Sequence, residues 1–212
     1  MKTILAYGDS LTWGYDAATL GRHPFQVRWP SVLEAGLGGA ARVIAEGLNG
    51  RTTAFDDWLA DADRNGARML PTLLETHKPL DLVIIMLGAN DMKPAICGSA
   101  IAAKSGMARL VSLVRNHDYG FSYAVPRVLL VAPPPCVGTD NADFAATFEN
   151  APGESAKLAA HYAGLADELG CAAFDAGTVA QATPLDGVHL DAENTAAIGR
   201  ALVPVVRGLI AI

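Results

Sequence analysis

Two short polar blocks, one towards each end of the chain, carry the residue types needed for nucleophilic catalysis. Ser10 lies in a Gly-Asp-Ser-Leu segment at 8–11, and Asp186 and His189 lie three residues apart in a late loop. A serine hydroxyl attacks a carbonyl carbon when a base removes its proton, and a histidine oriented by a carboxylate is such a base. The three residues therefore predict a nucleophile, a base and its orienter, whereas capping of a helix is the alternative for Ser10.

Five apolar segments that end at turn residues predict the strands that would bring these blocks together. The first stops at Gly8, and the segment at 80–87 is almost entirely apolar, as a central parallel strand requires. Alternation with helical segments predicts a parallel sheet covered on both faces, in one domain over residues 1–212. The predicted strands are 3–7, 42–45, 80–87, 127–131 and 171–174, and the predicted helices are 29–36, 67–77, 99–115, 153–169 and 191–208.

Three residues follow successive strands of the predicted sheet. Ser10 comes after the first strand, Gly50 lies in the loop after the second, and Asn90 follows the third. Because the carboxyl ends of parallel strands lie along one edge, we expect these residues to surround one crevice. A left-handed turn is the alternative for Gly50, and a cap of the next segment is the alternative for Asn90.

Side chains around Ser10 are predicted to form a substrate pocket. Trp13 and Tyr15 are assigned to its wall, together with the flanking Asp9 and Leu11. Packing in the core or in an interface is the alternative for either aromatic side chain.

Composition excludes several classes of protein. The chain is 51% hydrophobic and 18% charged, with a net charge of −6 and no basic run, which argues against nucleic acid as a partner. No apolar run approaches the roughly 20 residues that span a bilayer, and the first residues lack the pattern of a signal peptide. Three widely spaced cysteines and five histidines without ligand spacing predict no disulfide framework and no metal. We expect a cytoplasmic protein.

Three blocks in this order resemble the SGNH (GDSL) hydrolase family. They are Gly-Asp-Ser-Leu at 8–11, Gly-x-Asn-Asp at 88–91 and Asp-x-x-His at 186–189. The segments 8–14, 46–53 and 81–88 are similar, more narrowly, to its bacterial arylesterase/acyltransferase branch. One departure is Glu46, which stands where the second block of the family usually has Asn, so the hydrogen bonding inside that loop must differ.

The resemblance implies a three-layer α/β/α sandwich of flavodoxin-like type. It implies Ser10 as the nucleophile, His189 as the base and Asp186 as its orienter. Oxyanion donors would be the backbone N–H groups of Ser10 and Gly50 and the side chain of Asn90.

The activity implied is that of a serine esterase that hydrolyses short-chain aryl or alkyl esters through an acyl-enzyme, without a cofactor. Acyl transfer to alcohols and a homo-oligomeric state are further expectations from this branch. Rival hypotheses on the same scaffold are a carbohydrate O-acetylesterase and a lysophospholipase or thioesterase. A flavodoxin-like binding module is the rival outside catalysis, but the chain lacks Gly-x-Gly-x-x-Gly after its first strand and a phosphate-binding lysine loop.

Overall fold

The computed structural model describes residues 1–211, and its centre is a sheet of five parallel strands. The strands are β1 (Lys2–Gly8), β2 (Ala41–Gly47), β3 (Leu82–Met86), β4 (Arg127–Ala132) and β5 (Ala172–Asp175). Their order across the sheet is β2-β1-β3-β4-β5. The predicted α/β architecture with a five-stranded parallel sheet is therefore confirmed, and the order is that of flavodoxin-like folds.

Within residues 1–211, eight α-helices connect and cover these strands. They are α1 (Ser10–Trp13), α2 (Trp29–Gly36), α3 (Gly66–His77), α4 (Ala100–Asn116), α5 (Ala142–Thr147), α6 (Ala151–Ser155), α7 (Leu158–Leu169) and α8 (Ala192–Ile210). Buried side chains of α2 and α8 pack on one face of the sheet, and those of α3, α4 and α7 pack on the other. No helix within residues 1–211 is long and apolar enough to cross a membrane.

The central strands explain why the sheet is covered on both faces. All five residues of β3 are buried. Val83 and Ile85 belong to the core under α3, α4 and α7, whereas Leu82, Ile84 and Met86 belong to the core under α2 and α8. Successive side chains of a strand point to opposite faces, so an uninterrupted apolar run requires two apolar layers around it.

The strand order creates a crevice at one edge of the sheet. The chain adds β2 on one side of β1 and then crosses to add β3 on the other side. Such a reversal leaves an opening between the carboxyl ends of β1 and β3, which is where open α/β sheets bind their ligands.

The segment from 133 to 170 differs from its prediction. The long connection after β4 contains α5, whose start is capped by the Asn141 side chain accepting from the Phe144 N–H group at 3.2 Å. The helix predicted over 153–169 is divided into α6 and α7. At the end of α6 the Ser155 hydroxyl donates to the Ala151 carbonyl and accepts from the Cys136 N–H group, a local alternative to helix bonding that ties this turn to the end of β4.

Candidate active site

Two hydrogen bonds connect the serine, histidine and aspartate that the sequence singled out. Ser10 Oγ lies 2.9 Å from His189 Nε2, and His189 Nδ1 lies 2.6 Å from Asp186 Oδ2. All three residues are buried, with exposures of 4 to 8%. The structure thus brings together residues from opposite ends of the chain, with the hydroxyl and the carboxylate on opposite sides of one imidazole ring.

The Asp186 carboxylate is held by its own loop. Its Oδ1 accepts hydrogen bonds from the backbone N–H groups of Val188 at 3.0 Å and His189 at 2.9 Å. Burial by itself raises the pKa of Asp186, but the hydrogen bonds from the His189 side chain and from these two N–H groups outweigh it and keep the pKa below its ordinary value. The carboxylate therefore stays ionised and accepts a hydrogen bond from the Nδ1–H group of His189.

The turn that presents Ser10 is capped by its neighbour. The Asp9 carboxylate accepts from the Leu11 N–H group at 2.9 Å, so Asp9 is the N-cap of α1 and Ser10 is its first residue. The capping role considered for Ser10 therefore belongs to Asp9. Paired glycines let α1 lie directly on the strand ends, because a Cβ on Gly8 would come within 2.0 Å of the Thr12 hydroxyl and one on Gly47 within 2.2 Å of Trp13 N.

Three potential donors of hydrogen bonds belong to residues that line one cavity, namely Ser10, Gly50 and Asn90. The Gly50 N–H group makes no hydrogen bond to another residue within 1–211, and Gly50 has a φ of 81°, so the left-handed turn is also present. The Ser10 N–H group is likewise free at the start of α1. The Asn90 Nδ2 atom lies 3.2 Å from the Arg51 carbonyl and 3.4 Å from Asp9 Oδ2, at or beyond the usual limit for a hydrogen bond.

Two further carboxyl groups are buried behind these donors. Burial raises the pKa of Asp9 to about 6, against the hydrogen bond from Leu11 and the charges of His189 and Arg51. Burial likewise raises the pKa of Asp91 to about 6, although its carboxylate accepts from the N–H and hydroxyl groups of Thr53. Both groups hold backbone in place: Asp9 caps α1, and Asp91 ties the loop after β2 to the turn after β3.

Arg51 is a structural residue of the site that sequence reasoning missed. Its Nη1 group donates to the carbonyl oxygens of Gly8, at 2.7 Å, and of Glu46, and its guanidinium lies 4.2 Å from the centre of the Tyr7 ring. The Glu46 side chain, which stands where the family usually has Asn, turns away and pairs with His77 at 2.8 Å. The hydrogen bonding of this loop therefore comes from Arg51 rather than from the Glu46 side chain.

A cavity of about 300 Å³ opens above the serine. It is lined by Ser10, Tyr15, Asn49, Gly50, Asn90, Lys93, Asp143, Phe144, Thr147, Phe148, Val188 and His189. Of the four residues assigned to a pocket, Tyr15 lines this cavity, with its ring 4.3 Å from that of His189. Asp9, Leu11 and Trp13 do not line it.

The three residues that were predicted for the pocket but do not line the cavity have other roles. Leu11 packs into the core under α2 and α8, and Asp9 is buried as the cap of α1. Trp13 lies against the guanidinium of Arg22, at 4.5 Å, and its carbonyl accepts from Arg22 Nε at 2.7 Å. An aromatic residue three positions after the serine is therefore used for local packing rather than for the cavity.

The opposite side of the cavity is an aromatic wall formed by Phe144 and Phe148. The two rings are parallel within 9° at a centroid distance of 6.0 Å, and Phe144 meets the His189 ring edge-on at 6.0 Å. Lys93 Nζ lies 5.4 Å from the Phe148 ring. The spacing of two Phe residues by four positions, after an Asn that can cap a helix, indicates a short helix with both rings on one side, but it does not show that this side faces the cavity.

Within residues 1–211 there is no group of three or more His, Cys, Asp or Glu side chains that could hold a metal ion. The described side chains of the site offer a hydroxyl, an imidazole and N–H groups. This arrangement can form an ester bond to a serine and stabilise the negative charge on a carbonyl oxygen.

Comparison with known proteins places this geometry in a family. Residues 6–196 match the model of the GDSL-like lipase/acylhydrolase family. No curated protein sequence gives a significant match.

Solved structures match over the full length. A carbohydrate acetylesterase family member from Sinorhizobium meliloti is 60% identical, with all of both chains covered and a TM-score of 0.99. The aryl esterase of M. smegmatis is 40% identical, over 99% of this chain and 100% of that one, with a TM-score of 0.94. Est24, a carbohydrate acetylesterase from Sinorhizobium meliloti, is 38% identical with the same coverage and a TM-score of 0.93.

Proposed function

The chain belongs to the GDSL-like lipase/acylhydrolase family and is a serine ester hydrolase, and from that premise we propose that Ser10 is its nucleophile. His189 is the general base, and Asp186 orients it. The observation that carries this assignment is the pair of hydrogen bonds, 2.6 and 2.9 Å long, that run from the carboxylate through the imidazole to the hydroxyl.

The proposed reaction has two halves. Ser10 Oγ attacks the carbonyl carbon of the ester while His189 Nε2 takes the hydroxyl proton, and the imidazolium then gives that proton to the departing alcohol. An acyl-enzyme on Ser10 remains. Water repeats the sequence in reverse: Nε2 takes its proton, its oxygen attacks the acyl carbon, and the carboxylic acid leaves as Ser10 Oγ recovers the proton.

Negative charge on the carbonyl oxygen is stabilised by the N–H groups of Ser10 and Gly50 and by Asn90 Nδ2. The N–H group of Gly50, which has no partner within residues 1–211, supports this role, because a donor of a cavity-lining residue without a partner is available to a substrate oxygen. The long contacts of Asn90 Nδ2 support it too, since an oxyanion forms shorter and stronger bonds than those it would replace.

The proposed substrates are short-chain carboxylic esters of aryl or alkyl alcohols. A cavity of about 300 Å³ with an aromatic wall suits a small acyl group and a planar leaving group, and leaves little room for the chain of a lysophospholipid. One solved relative is described as an aryl esterase, which agrees with an aryl leaving group, and another as a carbohydrate acetylesterase family member, which agrees with a short acyl group.

A labelling and chain-length experiment tests the proposed function. Hydrolysis of 4-nitrophenyl esters should be fastest for acetate and fall as the acyl chain lengthens, and a fluorophosphonate should label one residue, Ser10. Ser10→Ala should abolish both signals, whereas Ser105→Ala, which removes an exposed hydroxyl on α4, should leave both in place. Labelling of another residue in the wild-type protein would refute Ser10 as the nucleophile.

Acyl transfer to alcohols is proposed as a second outcome of the same intermediate. The apolar wall of Phe144, Phe148 and Val188 favours an organic alcohol over water next to the acyl group. Benzyl acetate should therefore accumulate when phenyl acetate is hydrolysed in water with added benzyl alcohol. Acetate as the sole product would contradict this part of the proposal.

Deacetylation of carbohydrates is the second candidate function. It is favoured by the 60% identity to a protein described as a carbohydrate acetylesterase family member, and the aromatic wall offers a surface on which a sugar ring could stack. A higher kcat/KM for an acetylated xyloside than for phenyl acetate would favour the carbohydrate, and the reverse would favour the aryl ester.

Self-association is also proposed. Trp58 and Leu59 are 86% and 92% exposed on adjacent positions, which supports an apolar contact between copies of the chain. Light scattering should give a mass above that of one chain, and a double change of Trp58 and Leu59 to Ser should lower it. A cytoplasmic location stays a prediction from the sequence.

A further inference from the structure

Lys93 differs from every other lysine of the chain. The sequence has five lysines, and Lys2, Lys78, Lys104 and Lys157 each pair with a carboxylate within 2.8 Å. Lys93 makes neither an ion pair nor a side-chain hydrogen bond with any residue in 1–211, and yet it is half-buried in the wall of the cavity above Ser10. An ammonium group in such a place has lost water without gaining an acceptor.

The position of this side chain is fixed by the turn that also presents Asn90. That turn is the 3₁₀ helix Asn90–Met92, and the Lys93 N–H group closes it by donating to the Asn90 carbonyl. Asp91 and Met92 are fully buried and anchor the turn in the core. Lys93 therefore starts from a rigid base, and its Nζ lies 5.4 Å from the centre of the Phe148 ring, which lines the same cavity.

The electrostatic surroundings leave the ammonium available to a ligand. Burial lowers the pKa of Lys93, and the charge of Asp57 is the largest effect in the opposite direction, although no carboxylate lies within ion-pair distance. Asp143 lines the same cavity but is exposed to solvent, which screens its charge. The face of Phe148 supplies a weak attraction that any better acceptor would exceed.

We infer that Lys93 forms a subsite for a carboxylate on the alcohol part of the ester substrate. An ammonium has three donors and no acceptor, so its best partner is an anionic oxygen, which it binds through short charge-assisted hydrogen bonds. The inference rests on the proposed function. A short acyl group is too small to carry a carboxylate of its own, so the carboxylate that binds Lys93 belongs to the leaving alcohol. Aromatic hydroxy acids esterified by a short acyl group fit both Lys93 and the aromatic wall.

A pair of aryl acetates that differ in one charge tests this subsite. The probes are 4-acetoxybenzoate and the neutral 4-acetoxybenzamide, and the readout is the ratio of their kcat/KM values at pH 7.5. We expect Lys93→Met to lower this ratio about tenfold, the effect of one charge-assisted hydrogen bond in a partly solvated site, and Lys93→Arg to keep most of it. Differences in intrinsic reactivity cancel when the variants are compared with the wild type.

A matched control removes a charge elsewhere. Lys104→Met deletes a lysine on α4 that pairs with Glu168 away from the cavity, and it should leave the ratio at the wild-type value. An unchanged ratio in Lys93→Met would overturn the subsite, because the Lys93 ammonium would then contact solvent and not the substrate. An equal fall of the ratio in Lys104→Met would also overturn it, because the net charge of the protein would then be responsible.

Wild-type protein alone gives a second measurement in case Lys93→Met does not fold. The product 4-hydroxybenzoate should inhibit hydrolysis of 4-nitrophenyl acetate with a Ki about tenfold below that of 4-hydroxybenzamide, and equal values would overturn the subsite. Protein that is labelled by a fluorophosphonate and hydrolyses 4-nitrophenyl acetate without this discrimination refutes the subsite only. Protein that shows neither labelling nor hydrolysis refutes the proposed function and the subsite with it.

Discussion

The two sides of the cavity are built in opposite ways. The first side is the proposed catalytic edge, which comprises Ser10, Asn90 and the 186–189 loop; it is almost completely buried, and hydrogen bonds join Asp186, His189 and Ser10 within it. The aromatic wall stands on α5, a helix of six residues with none fully buried, and on its C-cap residue Phe148. It is held by the cap at Asn141, by the contact between the two rings and by their packing against the edge of the core under α3, α4 and α7. One side fixes distances between reacting atoms, and the other offers a surface that can change without disturbing them.

This contrast separates chemistry from recognition. Changes at the catalytic edge should lower kcat for every ester, because the same proton transfer and the same oxyanion occur with each. Changes at the wall should alter the ranking of esters while leaving the reaction itself in place.

Asp186→Asn should produce the largest loss. The amide keeps the shape of the side chain but removes the charge that favours the Nδ1–H tautomer of His189 and stabilises its imidazolium form, so we expect kcat to fall by about 10⁴. Steady-state hydrolysis of 4-nitrophenyl acetate measures it. Asp191→Asn is the control, because Asp191 caps α8 nearby and asparagine caps equally well. A loss below tenfold in Asp186→Asn would mean that the carboxylate is not the orienter.

Asn90→Ala should lower kcat by about 10²–10³ with little change in KM. The reason is that Nδ2 binds the carbonyl oxygen only once that oxygen carries negative charge, so its removal affects the transition state rather than substrate binding. Full kinetic curves with phenyl acetate separate the two constants, and Asn116→Ala, an exposed change at the end of α4, controls for loss of an amide. A rise in KM at unchanged kcat would assign Asn90 to substrate binding instead.

Asp91→Asn tests the energetic cost of the catalytic edge. The pKa of Asp91 rises from 3.8 in the unfolded chain to about 6 in the folded one, so the folded state holds more protons between these values. The free energy of unfolding should therefore decrease as pH rises from 4 to 6. Over this range the free energy of unfolding of Asp91→Asn should decrease by roughly 2 kcal/mol less than that of the wild type.

Urea unfolding at pH 4, 5, 6 and 7 measures this difference. Asp140→Asn, an exposed carboxyl in the loop before α5, should follow the wild-type curve. Parallel curves for Asp91→Asn and the wild type would show that Asp91 is ionised without a cost in free energy of unfolding. That result would weaken the contrast between the buried catalytic edge and the aromatic wall.

Phe144→Ala should have the smallest effect and the most selective one. Loss of the ring removes a contact with planar leaving groups, so the ratio of kcat/KM for phenyl acetate over ethyl acetate should fall about five- to tenfold. The comparison with Phe121→Ala, an exposed aromatic residue before β4, shows what loss of a ring does outside the cavity. An equal fall for both esters would place Phe144 with the catalytic edge, through its contact with His189.

The catalytic edge could be predicted from the sequence because its signals are local. Each apolar strand ends at a glycine or a turn, and parallel strands bring such ends together, so the neighbourhood of Ser10, Gly50 and Asn90 follows from chain order alone. The overall α/β fold was predictable for the same reason. The observed strand bounds differ from the predicted ones by one or two residues, because side-chain patterns do not specify the last backbone hydrogen bond between neighbouring strands.

The aromatic wall and its lysine could not be predicted in this way. Phe144 lies on α5 and Phe148 is its C-cap, and this helix is too short for a clear apolar period. Lys93 in sequence is an ordinary charge in a turn. Trp13 shows the opposite error: its closeness to Ser10 in sequence suggested a pocket residue, but the guanidinium of Arg22 covers it. Which side of a turn faces a cavity depends on contacts between distant segments.

The hydroxyl of Ser10 and the imidazole of His189 are 179 positions apart in the chain. We expect a contact of such long range to form late in folding, because closing so long a loop costs conformational entropy before the contact is made. Partly folded molecules would thus hold an ordinary, unreactive serine, and during refolding the recovery of fluorophosphonate labelling should lag behind the return of secondary structure. The Ser10 hydroxyl, the proposed nucleophile, would thus become reactive only when both ends of the chain are in place.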